Sequence, residues 1–269
     1  MSEYAPPEPL VDTHCHLVLL DDRGLLNAAL ESAEQAGVEQ IVSVGLNVED
    51  SDRNRCLAEA HDNVWFTVGW HPHESHAPDA TQLRALEELL GHPRAVAVGE
   101  IGLDLFFRPG YHDTSLDEQS RALHAMLELA GAFGKPVVVH DRDAHEEVLT
   151  ALREHPDVRG VMHCFSGDAA FARRCIDSGY AVSFSGIVTF GRSEDQQAAA
   201  AAVGDQDYVV ETDSPFLAPV PHRGRPNLPG YVAATAARVA ALRGIDERTV
   251  RNHTTATARR LFGLPGPQP

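Results

Sequence analysis

Apolar, β-branched runs recur eight times along this chain, separated by stretches with helical periodicity. The candidate strands are Leu10–Cys15, Gln40–Val44, Val64–Gly69, Ala95–Glu100, Val137–His140, Gly160–His163, Tyr180–Phe184 and Tyr208–Thr212. Between them the spacing predicts helices over Leu25–Ala36, Ser51–His61, Thr81–Leu90, Leu116–Phe133, Ala144–Glu154, Ala169–Ser178 and Gln196–Val203. Two final helices are expected over Tyr231–Arg243 and Glu247–Phe262. Gly37, Gly91, Gly134 and Gly179 stand where helix C-caps belong. Runs that are apolar on both faces and alternate with helices argue for a parallel sheet covered on both sides. Eight such units in 269 residues argue for a closed (β/α)8 barrel, a TIM barrel, over two open sheets. The expected organisation is one domain over residues 1–262 and a disordered tail over 263–269, with no internal repeat.

In such a barrel the chemistry sits at the C-terminal ends of the strands. The first strand ends Val11-Asp12-Thr13-His14-Cys15-His16. Side chains alternate across a strand, so His14 and His16 point one way and Cys15 the other. Two imidazoles on one face are half of a metal site, and other strands end in matching groups. The fourth reaches Glu100, the fifth His140, the sixth His163 and the eighth Asp213. Four histidines and two carboxylates at one rim are too many ligands for a single catalytic ion, which needs three protein groups and water. Two divalent ions that share a carboxylate fit better. The expected division is His14, His16, Glu100 and Asp213 on one ion, and Glu100, His140 and His163 on the other. Asp213 can also act as general base. A carboxylated lysine, the alternative bridge, is excluded: Lys135 is the only lysine, and it precedes the fifth strand, at the opposite rim. The donor set accepts Zn, Mn, Co or Mg.

Composition narrows the class. With 43% hydrophobic and 23% charged residues the chain reads as a soluble globular protein. No apolar run approaches a membrane span, and the N-terminal stretch lacks a signal-peptide pattern. Cys15, Cys56, Cys164 and Cys175 form no CxxC pair and read as reduced thiols of a cytoplasmic protein. The net charge of −17 repels polyanions at long range, so a nucleic-acid substrate must be held locally, by metal ions and a few arginines. Candidates are Arg142, two residues after His140, and Arg223 and Arg225 in the one locally basic loop. Arg142 has a competing reading as an ion-pair partner of Asp141, Asp143 or Glu146. His73, and less so His71, lie where a phosphate could approach. Glu211 shares a face with Asp213 and is placed to orient a ligand from behind. Cys15 and Cys164 point away as packing residues. Trp70, Phe106 and Phe107 can stack a base or pack. The chain is expected as a monomer or weak oligomer.

The strings Val11-Asp12-Thr13-His14-Cys15-His16-Leu17, Gly69-Trp70-His71-Pro72-His73, Val98-Gly99-Glu100-Ile101-Gly102-Leu103-Asp104, Val139-His140-Asp141-Arg142-Asp143-Ala144, His163-Cys164-Phe165-Ser166-Gly167 and Glu211-Thr212-Asp213-Ser214-Pro215-Phe216-Leu217 resemble the TatD family of metal-dependent deoxyribonucleases. The match runs in order through nearly the whole chain. The resemblance implies a TIM barrel of the amidohydrolase type and metal-dependent phosphodiester hydrolysis, with removal of nucleotides from a 3′ end of single-stranded DNA. Motif for motif, it places the family's metal ligands on His14, His16, Glu100, His140, His163 and Asp213. This chain departs from the family's pattern in three places. The loop after the eighth strand reads Arg225-Pro226-Asn227-Leu228-Pro229 where the family has Arg-Asn-Glu-Pro, Leu105 precedes the aromatic pair, and Met126 replaces a glutamine. These bear on substrate contacts and leave metal ligation intact. A deacylase or esterase acting on a small molecule or a charged tRNA is the alternative, and −17 favours it over a bulk DNA binder. A non-catalytic scaffold would have lost ligands, and none is missing.

Overall fold

The computed structural model describes residues 8–106 and 110–266. Eight strands lie in one sheet, in chain order: β1 (Leu10–Cys15), β2 (Val38–Ser43), β3 (Val64–Val68), β4 (Ala95–Asp104), β5 (Val137–Arg142), β6 (Gly160–Met162), β7 (Tyr180–Phe184) and β8 (Tyr208–Val210). Every neighbouring pair is parallel, so each connection must cross over, and helices do so. They are α1 (Leu17–Asp22), α2 (Leu26–Ala36), α3 (Val48–Ala60), α4 (Ala80–Leu90), α5 (Leu116–Phe133), α6 (His145–Arg153), α7 (Ala169–Asp177), α8 (Glu194–Ala202), α9 (Val232–Arg243) and α10 (Glu247–Phe262). This is the expected TIM barrel. None of the described helices is long and apolar enough to cross a membrane.

Several elements differ from the sequence expectation. The short α1 was not foreseen: six residues give too little periodicity, and its burial of Leu17, Val18 and Leu20 forms the turn. Its N-cap is His16, whose side chain makes no capping bond and stays available to the rim. β4 runs past Glu100 to Asp104 because Gly102, at φ +150°, has no side chain; a Cβ there would lie 1.9 Å from the His140 carbonyl oxygen. β6 and β8 end early, so His163 and Asp213 stand on loops just beyond them. Gly37 and Gly134 cap their helices in the left-handed region, but Gly91 is right-handed at φ −68° and ends α4 without that turn.

Val11, Val42, Val96, Val138, Val161 and Val209, from six different strands, pack in one cluster with Ala258, Phe262 and Leu264. Strands that are not neighbours can meet only inside the barrel, so the C-terminal segment plugs its floor. This corrects the expected disordered tail. Leu264 is buried, its N–H donates to Arg259 O at 3.1 Å, and Pro265 O accepts from Gln40 Nε2 at 3.2 Å. Residues 267–269 of that tail lie outside the described residues.

The barrel closes between β8 and β1, largely through side chains. Beyond one bridge, Cys15 with Ser214, the Asp213 N–H donates to His14 O at 2.9 Å and the His16 N–H to Ser214 O at 2.8 Å. Thr13 Oγ1 donates to Val210 O at 3.0 Å. The wholly buried Asp12 carboxylate accepts from Thr212 N at 2.8 Å and from Thr212 Oγ1 at 2.6 Å. Burial raises the Asp12 pKa well above the carboxylate range, and the Thr212 bonds only partly oppose this. We expect Thr212→Val to cost about 1–3 kcal/mol, since it leaves a buried acceptor unmatched. Denaturant unfolding measures this; an unchanged midpoint would show that the seam does not depend on this pair.

Candidate metal centre

Glu100 enters the rim because two glycines let it. A Cβ on Gly69 would lie 2.1 Å from Gly45 O and 2.3 Å from Glu100 N. With those positions bare, Glu100 N–H donates to Gly45 O at 2.8 Å and Trp70 N–H to Glu100 O at 3.1 Å. The carboxylate is buried, and its two oxygens face different histidines. Oε1 lies 2.8 Å from His140 Nδ1, 2.9 Å from His163 Nε2 and 3.5 Å from His71 Nε2. Oε2 lies 3.5 Å from His14 Nε2 and 3.9 Å from His16 Nε2.

His14 and His16 converge as their spacing requires, with the two Nε2 atoms 3.3 Å apart. Asp213 Oδ1 completes the group, 3.3 Å from His16 Nε2 and 3.7 Å from His14 Nε2. Donors on a tetrahedral ion with bonds of ~2.1 Å stand ~3.4 Å apart, so these separations suit a shared cation. Among the described residues, His14 Nδ1 and His16 Nδ1 are buried without a hydrogen-bond partner. Asp213 holds φ +58° and Cys164 φ +45°, left-handed values that cost a non-glycine residue energy and cluster at functional sites. The bond from Asp213 N–H to His14 O holds the first of these in place.

A second layer orients the first. Glu211 Oε1 lies 3.2 Å from His163 Nδ1 and accepts from Cys164 N–H at 2.7 Å, while its Oε2 accepts from Ser183 Oγ at 2.5 Å. This is the orienting contact expected of Glu211, made to His163. Burial alone would lower the His163 pKa, but Glu100 and Glu211 outweigh it and raise it well above the histidine range. Burial would likewise raise the Glu100 pKa, yet His163, His71, His14 and His140 hold it well below the carboxylate range. His71 goes the other way, lowered to about 4 chiefly by burial.

All six expected ligands, His14, His16, Glu100, His140, His163 and Asp213, thus meet at one rim. The contact residues fare differently. His71 stands beside Glu100, whereas His73 bonds to Asp104 Oδ2 at 2.8 Å. The competing ion-pair reading of Arg142 fails among the described residues: its guanidinium stacks 3.9 Å from the Phe106 ring centre and Nη1 donates to Tyr111 Oη at 2.6 Å. Asp141 instead binds His145 at 2.7 Å, and Glu146 binds Arg174. Arg225 is exposed on its loop, and Arg223 stacks 4.1 Å from the Phe190 ring centre. Trp70 packs in the core and donates Nε1–H to His76 O at 2.8 Å. Phe107 lies outside the described residues. Cys15 is buried, and Cys164 turns its Sγ to Ser185 Oγ at 3.4 Å.

Asp104 was missed as a site residue. It lies four residues after Glu100 on one strand, and strand alternation alone would have put both on one face. Its carboxylate also faces His140 Nε2 at 3.3 Å, so His140 spans the two acids.

Known proteins resemble this chain over most of its length. A family model described as TatD related DNase matches residues 11–263. The chain is 39% identical over 261 residues to YcfH of Escherichia coli (strain K12), named an uncharacterized metal-dependent hydrolase, across 95% of this chain and 96% of the relative. It is 31% identical over 239 residues to the 3′-5′ ssDNA/RNA exonuclease TatD of Klebsiella pneumoniae (strain 342), across 86% and 89% of the two chains. The crystal structure of YJJV, a TatD homolog from Escherichia coli K12, superposes with a TM-score of 0.87 at 30% identity, over 95% of this chain and 98% of that one. With the family model spanning the barrel from β1 past α10, the chain belongs to the TatD family of metal-dependent hydrolases.

Proposed function

We propose that this protein is a two-metal phosphodiesterase that removes nucleotides from the 3′ end of single-stranded DNA. The observation that carries the reading is the division of Glu100, one oxygen toward His14 and His16 and the other toward His140 and His163. A carboxylate set this way can bridge two ions. His14, His16 and Asp213 would complete one coordination shell, and His140 and His163 the other, with His71 beside it. Divalent ions held by these residues would supply Lewis-acid charge to a phosphoryl group and acidify water.

The protein's own groups supply the rest. Asp213 is the general base: it faces the rim, and His16 and His14 hold its pKa low against the opposing effect of burial, so it is ionised and able to take a proton. Arg142, braced by Phe106 and Tyr111, presents its guanidinium fork to a substrate phosphate, and Arg225, exposed on its loop, is a candidate for a second contact. Phe216 is exposed, its ring centre is 5.9 Å from that of His16, and the Arg23 guanidinium lies 5.8 Å from the ring centre. An exposed aromatic with a cation alongside, at the mouth of the site, suits a stacked terminal base and its phosphate. The name of the Klebsiella pneumoniae relative supports the same substrate class. The net charge of −17 favours the second reading, an ester-cleaving deacylase with the same centre.

Three outcomes follow. Glu100→Gln should abolish turnover and release metal, measured by elemental analysis beside hydrolysis of 3′-labelled single-stranded DNA with Mn or Mg. Cleavage of model esters with no nucleotide release from the wild type would select the deacylase. Arg142→Ala should raise KM about tenfold with kcat nearly kept, the signature of a lost phosphate contact; a fall in kcat alone would place Arg142 elsewhere. Metal binding should release protons near neutral pH, because ligand histidines must be neutral and His163 is held protonated without metal. Binding heats that do not change with the buffer's ionisation enthalpy would contradict this.

A further inference from the structure

Beside the Glu100 cluster stands a second group of donors that the two-metal reading does not use. Asp104 lies at the end of β4 with its side chain wholly buried, and no lysine or arginine pairs with it among the described residues. The groups around it are imidazoles. His73 Nε2 is 2.8 Å from Oδ2, His140 Nε2 is 3.3 Å from Oδ2, and His112 Nε2 is 4.0 Å from Oδ1. The His73 and His112 rings stack nearly parallel, 4.5 Å apart and inclined by 15°. One ring thus addresses each carboxylate oxygen. Ligand atoms of His73, Asp104 and His112 all lie within 4.8 Å of one another.

The carboxylate is held for this. Gln119, buried in α5, donates Nε2–H to Asp104 O at 3.1 Å and to Thr114 O at 3.0 Å, and accepts from Asp104 N–H at 2.8 Å. Phe106 N–H donates to Oδ1 at 2.9 Å. A buried carboxylate is costly unless positive charge meets it, and a bound cation would supply that charge. Two histidines and one carboxylate on one side, with His73 about a quarter exposed on the other, leave positions open for water or substrate.

We infer that His73, Asp104 and His112 form a third divalent-cation site, adjoining the Glu100 centre and separate from it. The donor set suits Zn, Mn, Co or Fe(II). His140 links the two, with Nδ1 toward Glu100 and Nε2 toward Asp104, and His71 approaches His73 with ring centres 4.4 Å apart. A cation here stands on the same wall as Arg142, since Tyr111, which accepts the Arg142 bond, lies 4.8 Å from the His73 ring. It would therefore meet a phosphate next to the one at Glu100. The inference rests on the ligands alone and holds whichever bond the enzyme cleaves.

Full-length protein, stripped with chelator and reloaded with Mn2+, tests it by elemental analysis and by anomalous diffraction at the Mn edge. The expected result is three ions per chain, one bonded to Asp104, His73 and His112. His112→Ala, on a loop outside the barrel strands, should lower the count to two and erase only that peak. Glu100→Gln should keep it while losing the others. His73→Ala serves as a second variant, expected to behave as His112→Ala does. Two ions per chain with no density at Asp104, a peak that survives His112→Ala, or one seen only at crystal-soak concentration, an adventitious ion only, would each overturn the inference.

Discussion

A buried carboxylate ringed by imidazoles is the constraint on which the rest of this molecule depends. Glu100 is buried and, among the described residues, pairs with no arginine or lysine, so histidines from four other strand ends supply the field that keeps it charged. Those imidazoles repel one another when protonated; His163 lowers the His14 pKa, after burial. Such a cluster is costly to leave without cations and well suited to hold them. The surrounding barrel serves to keep these groups close despite that cost.

The barrel does so through its seam. Ordinary ladder pairing between β8 and β1 is reduced to one bridge, and side-chain bonds from Asp12, Thr13 and Thr212 replace it. His14 and His16 leave one side of this junction and Asp213 the other, joined by backbone bonds. Closing the fold and assembling the first half of the site are therefore one event. The left-handed backbone at Asp213 is a local cost of that closure. At the opposite end Phe262 and Leu264 fill the floor, so stability and chemistry sit at separate ends of one core.

Much of this was legible beforehand. Eight βα units marked the barrel, and the i, i+2 histidines marked the face, because side-chain alternation is a property of any strand. The same rule extends to Asp104, four residues after Glu100 on β4. His112 carried no signal at all: it belongs to a loop with no periodicity, and only folding stacks it on His73. Proximity in sequence also cannot tell which of His71 and His73 turns toward Glu100 around Pro72. The tail was misread for a related reason, as composition rich in proline and glycine masks the one leucine that fills the barrel floor.

The residue pattern by itself determined the fold class, the rim on which chemistry collects and the six candidate ligands, because strand period and loop polarity are local. Tertiary structure decided which oxygen of Glu100 meets which histidine, that Glu211 stands behind His163, and that Asp104 gathers imidazoles of its own. Those facts depend on distances between residues far apart along the chain, set by strand register and by the glycines at Gly69 and Gly102. No local period encodes such distances.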